Sequence, residues 1–105
     1  MREILVEELA AWRTQGKDFI LLDVREHDEV KTASINGAHH IPMGDIPARA
    51  SELPKEKEIV VMCHHGGRSE RVAAFLEKQG FSDAINLAGG INAWSEKIDP
   101  AVPRY

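Results

Sequence analysis

The stretch Lys55-Glu56-Lys57-Glu58-Ile59-Val60-Val61-Met62-Cys63-His64-His65-Gly66-Gly67-Arg68-Ser69 decides the fold. Ile59 to Met62 is apolar throughout and follows a charged turn. Such a run reads as a strand covered on both faces, central in a parallel sheet. From Ser69 the period changes. Val72, Phe75, Leu76 and Gln79 share one helical face and Gly80 ends it, which predicts a helix starting at Ser69. Strand, loop and helix in this order form part of a βαβ unit.

The same alternation runs outward in both directions. Upstream, Phe19 to Leu22 reads as a buried strand ending at Asp23-Val24-Arg25. A short helix from Glu26 to Ala33, a turn at Ile35-Asn36-Gly37 and a strand from Ala38 to Ile41, stopped by Pro42, follow. Asp45 is placed to cap a helix with Pro47 in its first turn, reaching Glu52. Leu5, Leu9 and Trp12 recur at i, i+4 and i+7, predicting a first helix that ends at Gly16. Downstream, Ala84 to Leu87 is a further strand, and Gly89-Gly90 turns into a helix carrying Ile91, Trp94 and Ile98. The expectation is an α/β fold, a single compact domain over residues 1–105.

Charge and composition exclude several function classes. Thirteen basic against seventeen acidic residues give a net charge of −4, with no long Lys/Arg run. No nucleic-acid or anionic-membrane partner is therefore expected. The longest clean apolar run, Ile59 to Cys63, is far short of the roughly 20 residues a membrane helix needs. Glu7 and Glu8 stand where an export signal requires an apolar stretch, which makes cytoplasmic the expected location. The chain has one cysteine, so an internal disulfide and a thiolate zinc cluster are both out.

A lone cysteine is by default a small buried hydrophobe. The place of Cys63 argues for more. It stands at the carboxyl end of the central strand, where open α/β sheets bind ligands. The following helix offers unpaired N–H groups, Gly66 and Gly67 allow an inward-curling anion nest, and Arg68 adds a permanent charge. Such settings lower a cysteine pKa to roughly 3.5–7.5 and mark a nucleophile. Two chemistries suit a cysteine beneath an N–H cradle closed by arginine: phosphate ester hydrolysis and sulfur transfer. Cysteine phosphatases place one residue more between cysteine and arginine than the four found here. The shorter cradle matches one extra sulfur atom on Cys63 and favours sulfur transfer. A small cysteine phosphatase or arsenate-handling enzyme is the alternative, and a non-catalytic interaction module a third.

At this point the chain resembles the rhodanese-like family over nearly its whole length. The marks are Leu22-Asp23-Val24-Arg25-Glu26, Ile35-Asn36-Gly37-Ala38-His39-His40-Ile41-Pro42, Cys63 to Ser69, Gly80-Phe81, Asn86-Leu87-Ala88-Gly89-Gly90-Ile91 and Ala93-Trp94. The ending Asp99-Pro100-Ala101-Val102-Pro103-Arg104-Tyr105 is similar to that of rhodanese domains fused behind ubiquitin-like-activating adenylyltransferases. The resemblance implies about five parallel strands with helices on both faces. It also implies a sulfurtransferase in which Cys63 takes sulfane sulfur from thiosulfate, polysulfide or a protein persulfide. The N–H groups from His64 to Ser69 then hold the persulfide until a thiol or cyanide-like acceptor, or a sulfur-relay protein, removes the outer sulfur. No metal or organic cofactor is implied.

The remaining candidates carry paired readings. Arg68 orients the loop or an anionic donor, or is a surface charge. The resemblance puts Asp23 and Arg25 in the site wall, and a structural salt bridge serves equally. His64 and His65 lend their backbone N–H groups, with ring acid–base chemistry as the lesser reading. Adjacent histidines at His39-His40 and His64-His65 do not have metal-ligand spacing. With no second thiol, a sulfur loaded on Cys63 has no internal route of release and waits for an external acceptor.

Overall fold

A computed structural model describes all 105 residues. In chain order it contains β1 (Arg2–Ile4), α1 (Val6–Thr14), β2 (Ile20–Asp23), α2 (His27–Thr32) and β3 (His39–His40). Then come α3 (Ile46–Arg49), β4 (Glu58–Met62), α4 (Gly67–Lys78), β5 (Asp83–Leu87) and α5 (Gly90–Lys97). The five strands form one sheet in the order β1-β5-β4-β2-β3 with every pair parallel. The Ile59–Met62 run lies at its centre, paired to β2 on one side and β5 on the other.

Alternation along the strands divides the core in two. Val60 and Met62 join Leu21, Ile85 and Leu87 beneath Leu9 of α1 and Ile91 and Trp94 of α5. Ile59, Val61 and Cys63 face the other way, with Leu22 and Ala84, against Val72, Ala73 and Leu76 of α4 and Ile46 of α3. Both faces are covered, which is why β4 shows no polar alternation.

Four elements differ from the sequence reading. β1 was not expected. It pairs Glu3 with Asn86 and Ile4 with Leu87, and Arg2 bridges Glu58 and Asp83 at 2.9 Å each. The predicted Asp45–Glu52 helix is broken into two 3₁₀ turns, Met43–Asp45 and Ala50–Glu52, around the four residues of α3, and the Asp45 side chain caps nothing. Two helix starts also move. α4 begins at Gly67, not Ser69, and α1 begins at Val6, leaving Leu5 56% exposed. No helix is long and apolar enough to cross a membrane.

Candidate active site

β4 delivers Cys63 to the carboxyl edge of the sheet, and the three residues that follow link it to α4. Gly66 turns the chain at φ +122°, a conformation an L side chain rarely adopts. That turn brings the Gly66 N–H onto Cys63 Sγ at 3.0 Å. The Ser69 hydroxyl lies 3.4 Å from the same sulfur. The N–H groups of His64, His65, Gly67, Arg68 and Ser69 donate to no backbone carbonyl, so none of them is spent on the main chain. Cys63 is 1% exposed overall, yet it borders an open cleft of about 360 Å³ lined also by His64, His65, Gly67, Arg68 and Arg71.

The electrostatics favour a thiolate. Burial pushes the Cys63 thiol up, but the Ser69 hydroxyl and the N–H groups of Ser69, Gly66 and His65 outweigh it, and the thiol lies below its ordinary value. Burial and the neighbouring His65 both push His64 down, which favours the neutral imidazole. Its ring stacks on Tyr105 at 3.9 Å with the planes 5° apart, and its Nε2 is buried without a partner.

The loop is held from two sides. From one, the first turn of α5 donates Ile91 N–H to the Cys63 carbonyl at 3.0 Å and Asn92 N–H to the His64 carbonyl at 3.1 Å. From the other, Arg68 makes a two-pronged ion pair with Glu29 of α2 at 2.7 and 2.9 Å. Arg68, with burial opposing it, holds the Glu29 carboxyl down to about 2. Tyr105 donates its hydroxyl to the same carboxylate at 2.8 Å and accepts from Arg25 at 2.9 Å.

Of the residues singled out from sequence, Cys63, His64, His65, Gly67 and Arg68 line one cleft, with Gly66 and Ser69 immediately behind it. Asp23 and Arg25 do not line it. They form a fully buried fork, Nη2 to Oδ2 at 2.7 Å and Nε to Oδ1 at 3.0 Å, and Arg25 also donates to the Ala33 carbonyl at 2.7 Å. The pair therefore fixes the chain between β2 and α2 and reaches the loop only through Tyr105 and Glu29. No group of three or more His, Cys, Asp or Glu side chains is placed to hold a metal. His39 instead faces Glu52 at 3.6 Å, and His40 meets the Arg25 carbonyl at 2.6 Å.

Sequence reasoning passed over four residues. Asn86 was a visible signal, a polar residue between the apolar Ile85 and Leu87, and it accepts from Ser69 at 2.5 Å. Glu29 was visible as the partner of Glu26 in a capping box, but not as the partner of Arg68. Arg71 stands one helical turn beyond Arg68 on the same cleft. Tyr105 was visible only as the end of the tail, with nothing local to tie it to Glu29, Arg25 or His64.

Comparison with known proteins places this geometry in context. The rhodanese-like domain family matches residues 5–97. A protein of Allochromatium vinosum named sulfurtransferase is 37% identical over 97% of this chain and 95% of its own length. A probable adenylyltransferase/sulfurtransferase of Mycobacterium tuberculosis, MoeZ, is 36% identical over 97% of this chain but only 26% of its own length. A crystal structure of a rhodanese-like domain protein from Staphylococcus aureus superposes with a TM-score of 0.87 at 31% identity, covering 100% of this chain and 99% of that one. The chain spans 38% and 52% of the length of the first two curated relatives it matches.

Proposed function

Because the chain belongs to the rhodanese-like domain family, we propose that it is a sulfurtransferase carrying one sulfane sulfur on Cys63. The observation that carries this reading is the Cys63 sulfur lying at the base of a loop whose N–H groups suit an anion.

With thiosulfate as donor, the Cys63 thiolate attacks the outer sulfur. A sulfur–sulfur bond to Cys63 forms, the bond to the sulfonate sulfur breaks, and sulfite leaves with the electron pair. The negative charge now rests on the outer sulfur of the persulfide, beneath the loop N–H groups from His64 to Ser69, none of which donates to a backbone carbonyl. In the second half, a thiolate or cyanide attacks that outer sulfur and Cys63 departs as a thiolate, ready for the next donor. Polysulfides and protein persulfides enter by the same first step, so a sulfur-relay protein is a natural partner. The loop supplies the charge stabilisation itself, and no metal or organic cofactor is assigned a role.

The test is intact-mass analysis under non-reducing conditions after exposure to thiosulfate, polysulfide and a protein persulfide. The expected result is one added sulfur, removed by cyanide and absent in Cys63→Ser. An unchanged mass with all three donors would overturn the proposal, as would turnover of an aryl phosphate dependent on Cys63.

A further inference from the structure

Ser69 has one hydroxyl proton and three acceptors around it. They are Cys63 Sγ at 3.4 Å, the Gly66 carbonyl at 3.1 Å and Asn86 Oδ1 at 2.5 Å. Ser69 is wholly buried and Asn86 is 2% exposed, so the choice among the three is made inside the protein. The amide of Asn86 makes that choice. Its Nδ2 donates to Glu3 Oε2 at 3.0 Å, across the register pair that joins β1 to β5, and this turns Oδ1 toward Ser69. With the amide reversed, an NH₂ group would face Ser69 and the hydroxyl proton would be left to the sulfur and the Gly66 carbonyl.

We propose that Glu3 and Asn86 are positioning residues for Cys63, holding the Ser69 proton off the sulfur except when the bare thiolate forms. This rests on the reading of Cys63 as the sulfur carrier. In the resting thiol, Cys63 donates to Ser69 Oγ and Ser69 donates to Asn86 Oδ1. On ionisation the thiol proton leaves to a solvent base, and the Ser69 hydroxyl swings from Asn86 Oδ1 to Sγ, leaving a buried carbonyl without a donor. Once a sulfur is loaded, the charge sits on the outer atom under the loop N–H groups and the Ser69 proton returns to Asn86. The relay thus penalises the empty thiolate relative to the persulfide and biases the protein toward its loaded form.

Other charged and titratable groups surround the relay, including Glu70 of α4 in the cleft of Glu3 and Asn86, and Tyr105 stacked on His64. His64 and His65 flank the sulfur on the loop, Arg68 and Arg71 lie on α4, Glu29 of α2 is held by Arg68, and Asp23 of β2 is held by Arg25. Glu3 is hydrogen-bonded toward Cys63 through Asn86 and Ser69, and it also borders a cleft shared with His65 and Gly66 of the loop.

The experiment measures iodoacetamide alkylation of Cys63 against pH in the parent, Glu3→Ala, Glu3→Gln, Asn86→Leu, Ser69→Ala and the Glu3→Ala/Ser69→Ala double variant. Glu3→Ala and Asn86→Leu free the Ser69 proton and are expected to raise the rate about three- to tenfold below the thiol pKa, with the alkaline plateau within about twofold. Glu3→Gln removes the charge but keeps the acceptor, and is expected to follow the parent. In the Ser69→Ala background, adding Glu3→Ala is expected to change nothing. A Glu3→Ala profile superposing on the parent would overturn the proposal. So would Glu3→Gln matching Glu3→Ala, which would make the effect one of charge alone, or a Glu3→Ala effect that survives Ser69→Ala. Alkylation reads the thiolate whether or not sulfur is transferred. Failure of sulfur loading with a normal set of profiles would therefore remove the proposed function and leave the relay standing.

Discussion

Gly90 lies directly under the backbone of Cys63: a Cβ on Gly90 would sit 2.5 Å from the carbonyl oxygens of both Cys63 and His64. Gly90 is thus what lets α5 approach the loop and donate to it. At φ +58° Gly90 also occupies the left-handed region, so a side chain there is strained as well as crowded.

Gly90→Ala is accordingly expected to cost about 2–4 kcal/mol, combining overpacking against backbone with left-handed strain. It is also expected to slow sulfur loading per folded molecule, because the displaced atoms are the carbonyls of Cys63 and His64. Gly80→Ala is the control. Gly80 has φ +91° but nothing nearer than Lys55 Nζ at 3.8 Å, so only strain is expected, about 1–2 kcal/mol with loading intact. Urea denaturation and intact-mass loading kinetics check both. Equal costs for the two would mean that the close approach carries no energy.

Removing the carboxylate from the buried Asp23–Arg25 fork leaves a guanidinium inside the protein without its counter-ion. Asp23→Ala is expected to destabilise by about 3–5 kcal/mol, far more than a surface ion pair would. Because the fork stands away from the cleft, the fraction that stays folded is expected to load sulfur within about threefold of the parent rate. A large loading defect in a stably folded Asp23→Ala protein would instead place this pair in the site wall.

The contrast between Cys63 and Arg25 shows where sequence is legible. Cys63, its glycines and Arg68 are local: strand, loop and helix N-terminus are contiguous, so their meeting follows from chain direction alone. The covered β4 was readable for the same reason, as one uninterrupted apolar run. Whether Asp23 and Arg25 face the cleft or the interior depends on packing between β2, α2 and the returning tail, which no local pattern encodes. β1 contributes one core side chain, Ile4, so a period of two had nothing to repeat. Tyr105 reaches Glu29 across 76 positions of sequence, and the Glu3–Asn86 contact across 83. Such partners depend on topology.

The Arg68–Glu29 pair gives the acid limb of stability a defined position. A carboxyl whose folded pKa is depressed adds stability that is complete above its unfolded pKa, roughly 4.3, and that is lost as pH falls toward about 2. The pair is partly open to solvent, with Arg68 31% and Glu29 18% exposed, so screening reduces the contribution to about 1–2 kcal/mol. Glu29→Gln is expected to lower stability by that amount at pH 7 and to flatten its decline between roughly pH 5 and 2. Urea midpoints across that range test it. A parent-like slope would mean the ion pair is no tighter in the folded state than water allows.

Arg71 provides the sharpest test of donor recognition. Arg68 is held by Glu29, whereas Arg71 lies one turn further along α4, exposed on the wall of the same cleft. A doubly charged donor such as thiosulfate entering this cleft would share it with that guanidinium. Arg71→Ala is expected to raise the KM for thiosulfate about three- to tenfold while kcat stays within about twofold, the signature of lost binding that does not change across the reaction. The effect is expected to shrink as salt shortens the screening length below about 10 Å. Arg71→Lys is expected to recover part of the affinity, because charge matters more here than the two-pronged geometry of arginine. Stability is expected to change by less than about 0.5 kcal/mol, as for other exposed positions. An organic persulfide without the second negative charge serves as the counter-test. If its KM rises as much as that of thiosulfate, Arg71 shapes the cleft and does not recognise the anion.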